Sequence, residues 1–265
     1  MVNRSVLLDL DFDFFTRESP ILDWGHNENM LFGDMIWKAR AMHSPKINEW
    51  LTSPVDVSPT SFWDDLMDRG WHFDPKCKGF AADSHETVGA AIPTLTQGGE
   101  WEIWHFDAHH DLGYDSDKDL RHLLEQRFCC DNFLYVLPHF FPQITKIVVV
   151  YPEWRRNVCP ITGMDAMWEL HPSHNPESIE RIRESLPDTC DLEVTFYQDH
   201  KTPVSSVQSL TIAQSSCWTP PWWDSIFAQV LEEAPGKLKH AFGPNKNKKF
   251  QPRSGWPTSW EESFP

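Results

Sequence analysis

No apolar run in this chain approaches the roughly 18–20 residues that a membrane-spanning helix needs. No secretory signal is recognisable either, so a cytoplasmic protein without a membrane partner is the expectation. The six cysteines (Cys77, Cys129, Cys130, Cys159, Cys190 and Cys217) include no CxxC pair. That spacing argues against a thiolate zinc site and, without export, for reduced thiols. Basic residues are scarce, 23 against 39 acids, for a net charge of −16. Nucleic-acid phosphates would be repelled. The same charge draws in metal ions and cationic substrates, and a merely solubilising acidic surface is the plainer alternative. No internal repeat is visible.

What the chain does have is enough length, 265 residues, for one large domain with a substantial core. Fourteen tryptophans fit a packed interior or the lining of a wide groove. Apolar and β-branched runs at 6–15, 102–106, 144–151, 191–197 and 209–214 predict strands. Helical spacings fall at 34–43, 61–70, 120–128, 132–137, 176–186 and 225–233, and a short helix follows Glu86 until Pro93 stops it. Strands alternating with helices predict an α/β fold with a mainly parallel sheet. The domain is expected over 1–234, with a polar tail from Pro235 to Pro265, where Lys, Asn, Pro and Gly dominate.

The chemistry concentrates in three stretches. Trp104–Gly113 reads WHFDAHHDLG and ends what looks like a buried strand. Asp107, His109 and Asp111 alternate there, and alternate side chains of an extended chain share a face about 6–7 Å apart. On that pattern His105 and His110 are expected on the other face, with His110 free to swing toward a substrate after the strand ends. Leu7–Phe15 reads LLDLDFDFF, with Asp9, Asp11 and Asp13 alternating inside an apolar run. Buried carboxylates on one face repel and desolvate one another at several kcal/mol each unless cations neutralise them. The third stretch, Asp83-Ser84-His85-Glu86, offers an imidazole at a strand-to-helix junction. Carboxylates and imidazoles without thiolates suit Mn²⁺, Fe²⁺ or Zn²⁺. The loop after the first acidic strand carries Trp24, His26, Asn27 and Glu28, placed to overhang such a site.

These motifs resemble those of the ureohydrolases, the arginases and agmatinases. DAHHD resembles their DAHxD signature, LDLDFDFF their D-x-D motif, and DSHE more loosely their histidine motif. In combination they look closest to a small arginase-like family whose members include peptide arginases, which convert arginine to ornithine in ribosomally made, modified peptides. The resemblance covers roughly 30 positions.

It implies a three-layer α/β/α fold and two Mn²⁺ per chain. Asp107, His109 and Asp111 carry over as ligands, with two of Asp9, Asp11 and Asp13. Asp11 and Asp13 are favoured as nearer the strand end, and His85 carries over with Ser84 as competitor. The implied reaction is attack of a metal-bridging hydroxide on a guanidinium, giving urea and ornithine. His110, His26 and His139 are candidates for the proton shuttle. Glu28 and Glu153 are candidates for the acid that orients the guanidinium. The D-x-D motif comes first here and last in arginase, which implies a circular permutation of the fold. The arginase segment that grips a free amino acid is not recognisable, which fits an arginine-containing precursor peptide as partner. Homo-oligomerisation stays open. The competing readings are a metal-dependent amide hydrolase of the deacetylase kind, an enzyme for a free guanidino compound, and a catalytically silent binding protein.

Overall fold

The computed structural model describes residues 4–16, 30–43, 57–114, 116–157, 176–243, 248–253 and 256. Its centre is a seven-stranded sheet whose strand pairs are all parallel. The strands are β1 (Ser5–Asp11), β2 (Phe73–Ala82), β3 (Trp101–Phe106), β4 (Ile144–Tyr151), β5 (Asp191–Phe196), β6 (Val207–Ala213) and β7 (Lys237–Ala241). They lie in the order β5-β4-β3-β1-β6-β2-β7. Between them run α1 (Met30–His43), α2 (Phe62–Asp68), α3 (His85–Leu95), α4 (Ser116–Glu125), α5 (Phe133–Phe140), α6 (Pro176–Ser185) and α7 (Asp224–Glu233).

Both faces of β1 are buried, which is why it reads as a nearly unbroken apolar run. Val6, Leu8 and Leu10 face a core built with Trp37 of α1, Phe62 of α2 and Phe227 of α7. Leu7 faces a second core built with Val88 of α3, Phe133 of α5 and, at its edge, Ile182 of α6. Helices therefore cover both sides, giving the expected α/β architecture. Among the described residues no helix is long and apolar enough to cross a membrane, and no disulfide forms. Cys159 lies outside them.

The path of the chain opens the site. After β1 it runs to α1 and α2 on one face, and after β3 it runs to α5 on the other. Neighbouring strands whose connections diverge leave a crevice at their carboxyl ends, where ligands of such sheets bind.

Several expected boundaries move. β1 stops at Asp11, and Phe12–Phe15 form a 3₁₀ turn in which the Asp13 amide donates to Asp11 Oδ1 at 3.1 Å. α1 begins at Met30, ahead of Gly33. Pro93 does not stop α3, which continues to Leu95. The proline falls in the last turn, and Thr96 N closes that turn on Ile92 O at 2.9 Å. Most of all, the stretch read as a tail supplies β7, an edge strand of the sheet. Beyond it Phe250 is buried in the first core. Its polar residues match an edge strand, which alternates exposed and covered positions.

Candidate metal centre

β1 and β3 are neighbours in register, with Asp9 opposite His105. Their ends bring five carboxylates and three imidazoles together: Asp9, Asp11, Asp13, Asp107 and Asp111 with His85, His105 and His109. Each carboxylate is buried.

The turns aim these groups by a common device. Asp11 Oδ1 accepts the Asp13 amide, Asp107 Oδ1 accepts the His109 amide at 2.7 Å, and Asp13 Oδ1 accepts the Ala108 amide at 3.4 Å. One oxygen of each is thus committed to backbone, and the other turns inward. Asp9 follows the same rule through a side chain, its Oδ1 accepting the Thr211 hydroxyl at 2.6 Å. The inward atoms meet imidazoles. His85 Nδ1 lies 3.0 Å from Asp11 Oδ2 and 3.1 Å from Asp111 Oδ2, and its Nε2 lies 3.3 Å from Asp9 Oδ2. His109 Nδ1 lies 3.1 Å from Asp13 Oδ2. His105 stands between two acids, Nδ1 at 2.7 Å from Asp9 Oδ2 and Nε2 at 2.9 Å from Asp107 Oδ2.

The surroundings hold this arrangement. Ser84 caps α3, accepting the Glu86 amide at 3.1 Å, so His85 is the first helical residue, and it is His85 that joins the cluster. The His85 ring stacks on Phe133 at 4.9 Å. Arg155 Nε donates to Ala108 O inside the DAH turn. The Ser215 hydroxyl donates to Asp11 Oδ2. Asp111 and Ser215 both adopt left-handed backbone, φ +49° and +46°, a strained geometry for residues with a Cβ that concentrates at functional sites.

Electrostatics mark an excess of negative charge. Burial, with Asp11 and Asp107 nearby, pushes the Asp13 carboxyl well above its ordinary range. Burial and Asp107 push Asp111 up to about 7. Burial opposes charge on the histidines, but Asp107 and Asp9 lift His105 to about 10, and Asp9 and Asp11 lift His85 well above its usual value. Asp9 and Asp107 are also desolvated, yet His85 and His105 respectively hold them well below the carboxylate range. Acids and imidazoles that both retain protons, packed in one dry cluster, make a place where cations are strongly favoured.

The donors fit such ions. Four triads have ligand atoms within 4.8 Å of one another: Asp9-His85-His105, Asp11-His85-Asp107, Asp13-Asp107-His109 and His105-Asp107-Asp111. Asp107 belongs to three of the four. The buried atoms Asp13 Oδ2, Asp107 Oδ2 and His105 Nε2 lack a well-formed hydrogen bond, a cost that a coordinated ion removes. The set is rich in oxygen, contains imidazole and lacks thiolate, so it suits a hard or borderline divalent cation.

All seven metal-type residues singled out in the sequence meet here. Asp13 arrives from the 3₁₀ turn and not from the strand face. His105 is the residue that sequence reasoning misplaced. It has the same odd parity as Asp107 and His109, so simple alternation puts it on their side. His110 has the opposite parity. Its ring stacks on Tyr114 at 4.2 Å and its Nδ1 accepts the Leu112 amide at 3.0 Å. Glu153 grips the chain's own guanidinium, bonding Arg156 at 2.8 and 3.1 Å. His139 sits near the end of α5 against Tyr135, about 9 Å of helix rise from Phe133. Trp24, His26, Asn27 and Glu28 lie outside the described residues. Ser215 and Thr211 were not foreseen, and a hydroxyl near a strand end carries no signal until its neighbours are known.

Fold and site together define an α/β protein with a buried carboxylate–histidine cluster able to hold metal at the carboxyl edge of its sheet. Comparison of the chain with protein-family models, with curated proteins and with solved structures finds no match in any of the three.

Proposed function

We propose that this protein is a manganese-dependent hydrolase of the ureohydrolase kind that converts arginine within a peptide to ornithine, releasing urea. The observation that carries the reading is the convergence of the D-x-D and DAHxD segments, distant in sequence, on one cluster with Asp107 at its centre. In this reading Asp13, Asp107 and His109 hold one cation. Asp11, His85, Asp107 and Asp111 hold the second, with Asp9 and His105 behind them. A divalent pair there would supply Lewis acidity and a nucleophile active at neutral pH.

The remaining work falls to the chain. The carboxylates attract a guanidinium, and a net charge of −16 extends that attraction beyond contact range. Ser215 and Thr211 fix the rotamers of Asp11 and Asp9. The guanidinium is oriented by a carboxylate through paired hydrogen bonds, a role proposed for Glu28. A histidine hands a proton to the leaving amine, a role proposed for His26 or His110. Water adds to the guanidinium carbon, the bond to the side-chain nitrogen breaks, and urea leaves. A peptide substrate is favoured because no segment for gripping free α-amino and carboxylate groups is recognisable.

The test is urea release by the manganese-loaded protein from an arginine-containing precursor peptide, compared with free arginine and agmatine. Ornithine in the peptide with little turnover of free arginine is expected. Turnover of the free compounds alone would move the substrate. One tightly held zinc with hydrolysis of acyl-lysine and no urea would overturn the proposal in favour of an amide hydrolase.

A further inference from the structure

The loop between β6 and α7 contains three tryptophans, Trp218, Trp222 and Trp223, and they are not equivalent. Trp222 and Trp223 are core residues, packed on Trp37 at 5.5 Å and on Phe12 at 6.3 Å. Trp218 is partly exposed, and its ring lies 5.1 Å from that of His109. The His109 side chain is 16% exposed, whereas no other acid or histidine of the cluster exceeds 8%. Among the described residues, the cluster therefore meets solvent beside His109 and Trp218.

The backbone around Trp218 is held at several points. Ser216 O accepts Trp37 Nε1 and Arg253 Nη1, both at 2.9 Å. Cys217 O accepts Arg40 Nη1, and Thr219 O accepts Arg253 Nη2 at 3.0 Å. Its own amide donates to Ser215 O at 2.8 Å, beside the hydroxyl that grips Asp11. Three side chains from α1 and the C-terminal segment thus fasten the carbonyls of Ser216, Cys217 and Thr219, on either side of Trp218. The Arg40 guanidinium carbon already lies 4.8 Å from the Trp37 ring and 5.9 Å from that of Trp218, so planar cations and indoles associate in this wall.

We propose that Trp218 is a specificity-determining residue, an aromatic platform on which the planar cation of the substrate stacks as it enters the carboxylate cluster. An indole attracts a cation through its negative ring face, most strongly where water is thin. A ring carried on a held backbone also loses less entropy on binding. The proposal rests on the hydrolase reading for the identity of the cation, a guanidinium, and deepens it by separating recognition from the metal ligands.

The experiment uses the full-length manganese-loaded protein and two probes, an arginine-containing peptide and the same peptide with citrulline, which keeps the shape and loses the charge. Calorimetric affinity and urea release are measured for wild type, Trp218→Phe and Trp218→Leu, with manganese content checked in each. Trp218→Leu should weaken the arginine peptide about tenfold, with Trp218→Phe in between. The rise should appear in KM with kcat little changed, and citrulline-peptide affinity and manganese content should stay constant. Equal affinities across the three proteins would overturn the proposal, as would parallel weakening of both peptides or loss of manganese in Trp218→Leu. If wild type binds the arginine peptide without releasing urea, the hydrolase reading fails and the affinity ratios still judge the platform. If wild type binds neither peptide, both fall.

Discussion

Asp9 and His105 stand opposite each other on adjacent parallel strands, and their side chains meet at 2.7 Å. The far nitrogen of the same imidazole lies 2.9 Å from Asp107, so one histidine couples the two acidic motifs inside the sheet. Partners of this kind orient the ligands in front of them.

His105→Ala should therefore weaken manganese binding about 10–100-fold, whereas His110→Ala should leave it within about threefold. Titration of each purified variant with Mn²⁺ measures the difference. Equal losses in the two variants would contradict the placement of His105.

Protons and a bound metal would compete for this cluster, and the direction follows from the shifts. Asp111, pushed to about 7, and His105, pushed to about 10, bind protons more tightly in the folded chain than in the unfolded one. Their stabilisation is complete below their unfolded values, about 4 and about 6.5, and is lost as pH rises through the folded ones. Asp9 and Asp107, held low, act oppositely: their contribution is complete above about 4 and lost in stronger acid. The chelated protein should thus be most stable near about pH 5 and melt at progressively lower temperature toward about pH 9. Manganese should flatten or reverse that slope, because its binding displaces protons. Thermal melts across pH with chelator and with Mn²⁺ provide the check.

Gly89 of α3 abuts Phe133, and a Cβ there would come within 2.8 Å of Phe133 Cβ. Gly89→Ala gains about 1 kcal/mol of helix propensity but overpacks at a cost of about 1–3 kcal/mol. Net destabilisation is expected in denaturant titrations. Because Phe133 backs His85, manganese affinity should fall as well.

Arg253 chelates Asp224 through Nε and Nη2, at 3.0 and 2.6 Å, with Asp224 buried and Arg253 largely covered. Arg253→Ala should destabilise by about 3–5 kcal/mol by leaving the Asp224 charge unmatched. Adding Asp224→Asn should restore part of that loss, a coupling that chemical denaturation of the single and double variants resolves.

The sheet and the cluster were readable because both write themselves in short-range pattern. Ile144–Tyr151 is apolar and β-branched through its length, and Asp107, His109 and Asp111 alternate. Two acidic strand tips in an otherwise apolar context call for neutralisation, and that much is legible in the residues alone. What escaped depends on partners far along the chain. Lys237–Ala241 is a strand because β2 offers it an open edge, not because its own residues demand it. Asp13 turns inward because Asp11 caps its amide, and Trp218 is partly exposed while Trp222 is buried for reasons of packing alone. The misplacement of His105 has another cause, since parity was there to be counted.

Of the described strands, the one earliest in the sequence lies in the middle of the sheet, flanked by β3 and β6. During synthesis its aspartates must wait for residues more than two hundred positions downstream, Thr211 and Ser215, before they are gripped. On the proposed reading, a complete metal site would exist only once β6 and the loop after it are in place. A ribosome-bound fragment ending before β6 would carry the acids without the hydroxyls that fix Asp9 and Asp11.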